Sequence, residues 1–114
     1  MGSDGPRTLR EKVMSGSIDT TTHIALVNIE FLIHHATSLK DKRRVVSSVK
    51  DRLRARFNAG VAEIAYLEEW QRCAIGVVML ANERAPLERE VNAVQNFMQE
   101  VRDIELVSVE WEWV

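Results

Sequence analysis

Hydrophobic and polar residues alternate from His23 to Ile33, which is the period of a β-strand. One face of this strand is wholly apolar and carries Ala25, Val27, Ile29, Phe31 and Ile33. The other face is mixed and carries Leu26, Asn28, Glu30 and Leu32. The pattern therefore predicts a first strand with one face packed into a core.

A helical period follows a short polar loop at residues 34–37. Ser38 is in the N-cap position, and Asp41 lies three residues later in an arrangement like a capping box. The apolar positions that recur at helical spacing are Leu39, Val46, Val49, Leu53 and Phe57. Asn58 and Gly60 are residues that commonly end a helix.

Two further strands are predicted at Val61–Tyr66 and Arg72–Ala81, joined as a hairpin by residues 67–71. The third strand is apolar on both faces, which is typical of a central strand. One face carries Cys73, Ile75, Val77 and Met79, and the other carries Ala74, Gly76, Val78 and Leu80.

A second helix is predicted to open at residues 82–84, with Pro86 in its first turn, where a missing N–H costs little. Its apolar stripe is Leu87, Val91, Val94, Met98 and Val101. Residues 104–114 alternate as a last strand, with one face formed by Val107, Val109, Trp111 and Trp113. The order is βαββαβ, which predicts an α+β ferredoxin-like sandwich: a four-stranded antiparallel sheet with two helices on one face.

The chain has 114 residues, enough for one domain with one core. Residues 1–22 are rich in Gly, Ser and Thr without a sustained hydrophobic period, so we expect a flexible N-terminal arm or leader before a domain at 23–114. No apolar run approaches the roughly 20 residues of a membrane span, and the N-terminus lacks the apolar stretch of a signal peptide. A cytoplasmic protein is expected, and its single cysteine suits a reducing compartment.

The residue types that carry catalysis or bind metals do not form recognisable constellations. Cys73 lies among apolar neighbours and is interpreted as core filling. His34 and His35 are adjacent, without a third ligand at metal spacing, and favour a polar loop. Glu68 and Glu69 lie together in a turn and favour solvated side chains. We therefore expect no enzymatic activity, no cofactor and no metal.

Charge is distributed unevenly along a chain whose net charge is only −2. Residues 38–57 carry eight basic and two acidic side chains, whereas residues 58–114 carry four basic and eleven acidic ones. A cationic helix on an acidic body can orient a protein towards a polyanion, although a solvated basic face is an equally common reading. The candidate nucleic-acid contacts are Lys40, Lys42, Arg43, Arg44, Lys50, Arg54 and Arg72.

Stacking of single-stranded bases on the sheet is disfavoured, because the third strand has no aromatic residue and Phe31 of the first lies on the core face. Trp111 and Trp113 alternate in register with valines and are interpreted as core and rim packing. Trp70, near the hairpin tip, is compatible with either an anchor to the domain's own core or a contact with a partner.

Three segments resemble the YlxP-like family of small bacterial proteins, which has no assigned activity. They are Ser38-Leu-Lys-Asp-Lys-Arg-Arg44, Arg56-Phe-Asn58 leading into Val61-Ala-Glu-Ile64, and Trp70-Gln-Arg72. The resemblance covers about residues 24–113 and implies a ferredoxin-like fold. The family's association with transcription, translation-initiation and ribosome-maturation genes implies a role around ribosomal RNA.

The leading hypothesis is a non-enzymatic accessory factor that binds structured RNA in ribosome maturation or translation. The partners we expect are ribosomal RNA or a ribosomal particle. The alternative is a dimeric regulatory or scaffold module that binds a protein or small ligand through its sheet. The third strand should leave one apolar row uncovered in a monomer, and Leu26 and Leu32 would extend it. A homodimer through this face is expected, with cover by the N-terminal arm as the other possibility.

Overall fold

The computed structural model describes Thr8, Glu11 and residues 21–114. The predicted arm at residues 1–22 therefore lies almost wholly outside the described residues. The elements in chain order are β1 (His23–Leu32), α1 (Leu39–Arg56), β2 (Ala59–Ala65), β3 (Arg72–Ala81), α2 (Arg84–Glu100) and β4 (Glu105–Trp113). This order confirms the predicted βαββαβ arrangement.

The four strands form one antiparallel sheet in the order β2-β3-β1-β4. The central pair, β1 and β3, aligns Val27 with Val77 and Ile29 with Ile75, so that their apolar rows meet on one face. Both helices lie against this face and share its core. The predicted ferredoxin-like sandwich is confirmed.

The core forms between the inner row of each central strand and the stripe of each helix. The inner row of β3, which begins at Cys73, is buried, whereas Val78 and Leu80 of its outer row are exposed by 42% and 61%. From α1 come Val46, Val49 and Leu53, and from α2 come Leu87, Val91, Val94, Phe97 and Met98. The hydrophobic period of each helix therefore correctly predicted which of its sides packs against the sheet.

The last strand differs from the prediction at one position. Its register with β1 shifts between Glu30 and Phe31, and Phe31 pairs with Leu106. This irregularity inserts an extra residue, so Val107 turns away from the helices and is 48% exposed. The prediction that Val107 shares the face of Val109 was wrong, because a bulge interrupts the two-residue period.

Helix boundaries follow local hydrogen bonding. Ser38 caps α1 by accepting a hydrogen bond from the Asp41 N–H at 3.0 Å. At the other end, the Phe57 N–H donates to the Leu53 carbonyl at 2.9 Å. Within the described part of the chain, no helix is long and apolar enough to cross a membrane.

Candidate nucleic-acid interface

Most of the predicted cationic residues of α1 lie on one side of the helix, away from its buried stripe. Lys40, Arg43, Arg44 and Arg54 are exposed, and Lys50 is half-buried. Arg43, Lys50 and Arg54 are spaced by seven and four residues, so they follow one line along the helix. Of these five, only Arg54 takes part in an ion pair among the described residues. We call Lys40, Arg43, Arg44 and Lys50 the cationic face.

The start of α1 is fixed by a carboxylate that accepts two hydrogen bonds from the preceding loop. Asp41 Oδ2 accepts from the Thr37 N–H at 3.0 Å and from the Thr37 hydroxyl at 2.9 Å. The backbone hydrogen bond from Thr37 lowers the pKa of Asp41, and the hydroxyl of Thr37 adds to the effect. The first two turns, which carry Lys40, Arg43 and Arg44, therefore begin from a defined loop conformation.

Lys42 is the predicted contact that the structure removes from this surface. Its side chain is only 2% exposed, and its ammonium group lies 2.9 Å from the Glu63 carboxylate of β2. The same group donates a hydrogen bond to the Tyr66 carbonyl at 2.6 Å. The prediction that Lys42 contacts a phosphate is therefore corrected, because its ammonium group pairs with Glu63 inside the domain. The sequence held a signal: Lys42 precedes Val46 by four residues, on the line of the buried stripe.

Arg54 and Arg72 are also engaged within the domain. Arg54 donates from Nη2 to the Val61 carbonyl of β2 at 2.7 Å and lies 3.8 Å from Asp51. Arg72 forms an ion pair with Glu30 at 2.9 Å. The hydrogen bond to Glu30 raises the pKa of Arg72 above its ordinary value.

Arg72 lies apart from the other predicted contacts. It pairs with Leu32 of β1 on the face of the sheet opposite the helices, and its guanidinium is 3.9 Å from the centre of the Tyr66 ring. A cation held both by a carboxylate and over an aromatic ring is a structural clamp. The fold therefore does not bring Arg72 together with the cationic face.

The connection between β2 and β3 is anchored by hydrogen bonds, but the indole of Trp70 within it is exposed to solvent. Gln71 donates from Nε2 to the carbonyls of His34 and Ala36 at 2.8 and 3.0 Å. Trp70 is nevertheless 50% exposed, so it is not an anchor in the domain's own core. In the Trp-Gln-Arg block, the glutamine and the arginine therefore stabilise the loops, and the tryptophan faces solvent.

Cys73 and His34 each contact a carboxylate of the domain. Cys73 is fully buried, which confirms its interpretation as core filling, and its sulfur lies 3.8 Å from Glu63 Oε2. Burial, followed by the charge of Glu63, raises the pKa of Cys73 to about 12. His34 lies 2.6 Å from Glu105 at the surface. Across the described residues, no group of three or more His, Cys, Asp or Glu could hold a metal ion.

The sheet face without helices is poorly suited to base stacking. Its β1 and β3 rows present Leu26, Asn28, Glu30, Leu32, Arg72, Ala74, Gly76, Val78 and Leu80, none of them aromatic. Trp111 and Trp113 pair with Val27 and Ala25 on the helix side and pack against the core, as predicted.

Arg52 of α1 was absent from the predicted nucleic-acid contacts. It lies at the same helix side as Arg44, eight residues earlier, and this spacing was the available signal.

Fold and surface together define a small ferredoxin-like α+β domain whose first helix carries a cationic face. Residues 24–111 match the model of a family described as "Protein of unknown function (DUF503)". The chain belongs to this family. It is also 32% identical over 90 residues to a Bacillus subtilis (strain 168) protein described as "Uncharacterized protein YlxP", covering 79% of this chain and 98% of that protein. The predicted YlxP-like resemblance is confirmed.

Proposed function

We propose that this protein is a non-enzymatic accessory factor that binds structured RNA, foremost ribosomal RNA, in ribosome maturation or translation in the cytoplasm. The observation that carries the proposal is the cationic face of α1. Lys40, Arg43, Arg44 and Lys50 make no ion pair with any described residue. Their charges are therefore available to a polyanion in a chain whose net charge is −2.

The arrangement favours contacts with phosphates over contacts with bases. Lysine and arginine on a rigid helix bind the phosphate backbone, and binding gains free energy from counterion release. From Lys40 to Lys50 the helix rises about 15 Å at 1.5 Å per residue, so the cations are fixed at separated points. A folded RNA presents its phosphates at similarly fixed positions, and proteins recognise duplex RNA mainly through shape and backbone.

The test compares two variants that change the net charge equally. Arg43→Gln with Arg44→Gln removes two positive charges from the cationic face, and Arg89→Glu gives the same change on an exposed residue of α2. We expect the first variant to lose co-sedimentation with ribosomal particles and the second to keep it. Equal behaviour of the two variants would refute the proposal, because the effect would then follow net charge alone.

Salt dependence gives a second measurement on the same proteins. For about four phosphate contacts, the logarithm of RNA affinity should fall against the logarithm of salt concentration with a slope of roughly −3 to −4. The Arg43→Gln/Arg44→Gln variant should have a slope shallower by about 1 to 2. A flat salt response of the unaltered chain would contradict phosphate binding.

A second candidate function follows from the uncovered sheet face. Val78 and Leu80 of β3 and Ile64 of β2 are exposed large hydrophobic residues, and Leu26 lies beside Val78 in the register. Contiguous exposed apolar surface commonly marks an interface. We propose as the alternative that this face forms a homodimer in a regulatory or scaffold module.

Sedimentation equilibrium of the full chain tests the dimer. The proposed dimer has twice the 13.0 kDa mass of the chain. Val78→Lys with Leu80→Lys should restore the mass of one chain, because two charges would be buried at the interface. A mass of 13.0 kDa for the unaltered chain at micromolar concentration would exclude this alternative.

A further inference from the structure

A groove lies between α1 and the turn that follows α2, with a volume of about 370 Å³. Arg44, Ser48 and Arg52 line it from α1, and Arg102 lines it from the turn. We call these four residues and the space between them the arginine groove. Three arginine residues from two separate elements, α1 and the turn after α2, therefore line one cavity.

The helix places three of these side chains in a row. Arg44, Ser48 and Arg52 are spaced by four residues, so they lie on one side of α1. The Arg52 guanidinium is 5.0 Å from the centre of the Phe97 ring of α2, which holds it between the two helices. The packing of α1 against α2 therefore fixes the position of Arg52 beside the groove.

None of the three arginines in the groove forms an ion pair with a described residue. Two carboxylates, Glu100 and Asp103, also line the cavity, which leaves a formal balance of +1. Neighbouring cations repel one another, and an anion between them relieves the repulsion. A groove with a net positive charge favours an anionic group, such as a phosphodiester, over a neutral or cationic one.

The lining is apolar between the charges, where Val45, Val49 and Val101 contribute. A sugar-phosphate backbone has both characters, because its phosphate accepts hydrogen bonds and its ribose offers carbon surface. Arg44, which is also part of the cationic face, makes the groove continuous with that face. A backbone lying along α1 would thus reach the groove without crossing an uncharged stretch.

We propose that the arginine groove is a binding site for a phosphodiester of the RNA backbone, with Arg52 and Arg102 as contacts beyond the cationic face. This inference rests on the proposed function and names where one phosphate of the RNA is held. Ser48 is an additional hydroxyl donor at the same site.

Two pairs of variants of the full chain test the inference by fluorescence titration of a labelled RNA hairpin. Ser48→Leu fills the groove without changing charge, and Asn92→Leu is its control on an exposed residue of α2. Arg102→Gln removes one guanidinium from the groove, and Arg89→Gln is its control on α2. Circular dichroism and thermal melting show that each variant is folded.

We expect Arg102→Gln to weaken binding about fivefold to tenfold near 0.1 M salt, which is the counterion release of one phosphate contact. Ser48→Leu should weaken binding similarly, and both controls should bind as the unaltered chain does. If Arg43→Gln/Arg44→Gln weakens binding while Ser48→Leu and Arg102→Gln do not, the groove inference is overturned and the proposed function stands. Absence of RNA binding by the unaltered chain would overturn the proposed function itself.

Discussion

Replacing Lys42 with methionine tests the reassignment of this residue from a surface contact to a buried support. The change removes the ammonium group and keeps a side chain of similar length. It leaves the Glu63 carboxylate without the cation that lies 2.9 Å away, and it leaves the Tyr66 carbonyl without the donor at 2.6 Å. Tyr66 has a φ of 63°, an uncommon conformation for a non-glycine residue, so its carbonyl contact also supports a strained turn.

The expected loss follows from the burial of the two partners. Breaking a buried ion pair by removing one partner costs about 3–5 kcal/mol. Lys42 is almost fully buried, whereas the Glu63 side chain is 22% exposed and can recover part of its hydration. We therefore expect Lys42→Met to lower the free energy of unfolding by about 2–3 kcal/mol. For a domain of this size, that corresponds to a fall in Tm of about 10–20 °C.

Urea denaturation followed by circular dichroism measures this loss, and two further variants control it. Lys40→Met alters an exposed lysine of the same helix and should change the free energy of unfolding by less than about 0.5 kcal/mol. Lys42→Met with Glu63→Leu removes both charges and should recover at least half of the loss. A loss below about 1 kcal/mol for Lys42→Met, or a double variant no more stable than the single one, would refute the reasoning.

Three other outcomes are expected. Because its pKa is raised to about 12 and its side chain is buried, Cys73 should react with a thiol reagent at pH 8 only after unfolding in urea, and rapid labelling of the native chain would contradict this. The lowered pKa of Asp41 means that its stabilising effect is present above the unfolded-state pKa and is lost as pH falls through the folded-state pKa. The difference in Tm between the unaltered chain and Asp41→Asn should accordingly shrink as pH falls from 6 to 2, and a constant difference would count against the role of the charge. Leu106→Ala should cost about 1–2 kcal/mol in urea denaturation and Val107→Ala less than about 0.5 kcal/mol, and the reverse order would show that the bulge is misplaced.

The order of elements and the buried side of each helix could be predicted from the sequence. The spacing of Val46, Val49 and Leu53 predicted the packed stripe of α1, and the stripe of α2 was predicted except for Phe97, which is also buried. These features depend on the fixed periods of helix and strand, which a sequence displays directly. The same periods predicted that one row of β3 would be covered and the other left open, and the structure shows that the open row is the one with Val78 and Leu80.

The cationic face was predictable for a similar reason, since Lys40, Arg43 and Arg44 lie away from the stripe of their own helix. The limit of such reasoning appears at Lys42. The helical spacing placed Lys42 on the line of the buried stripe. Its charge nevertheless favoured an exposed position, because the sequence did not identify a partner for it. That partner, Glu63, belongs to another element, and only the packing of α1 against β2 brings the two groups within 2.9 Å.

Tertiary structure alone decided the remaining features, because each depends on how separate elements meet. Val107 turns outward because of a shift in register between two strands that are distant in sequence. Arg102 joins Arg44 and Arg52 at one groove because α2 ends beside α1. Sequence periods fix the direction of a side chain relative to its own helix or strand. They do not fix which other element lies in that direction, and this determines whether a charge becomes a buried support, a clamp or a free contact.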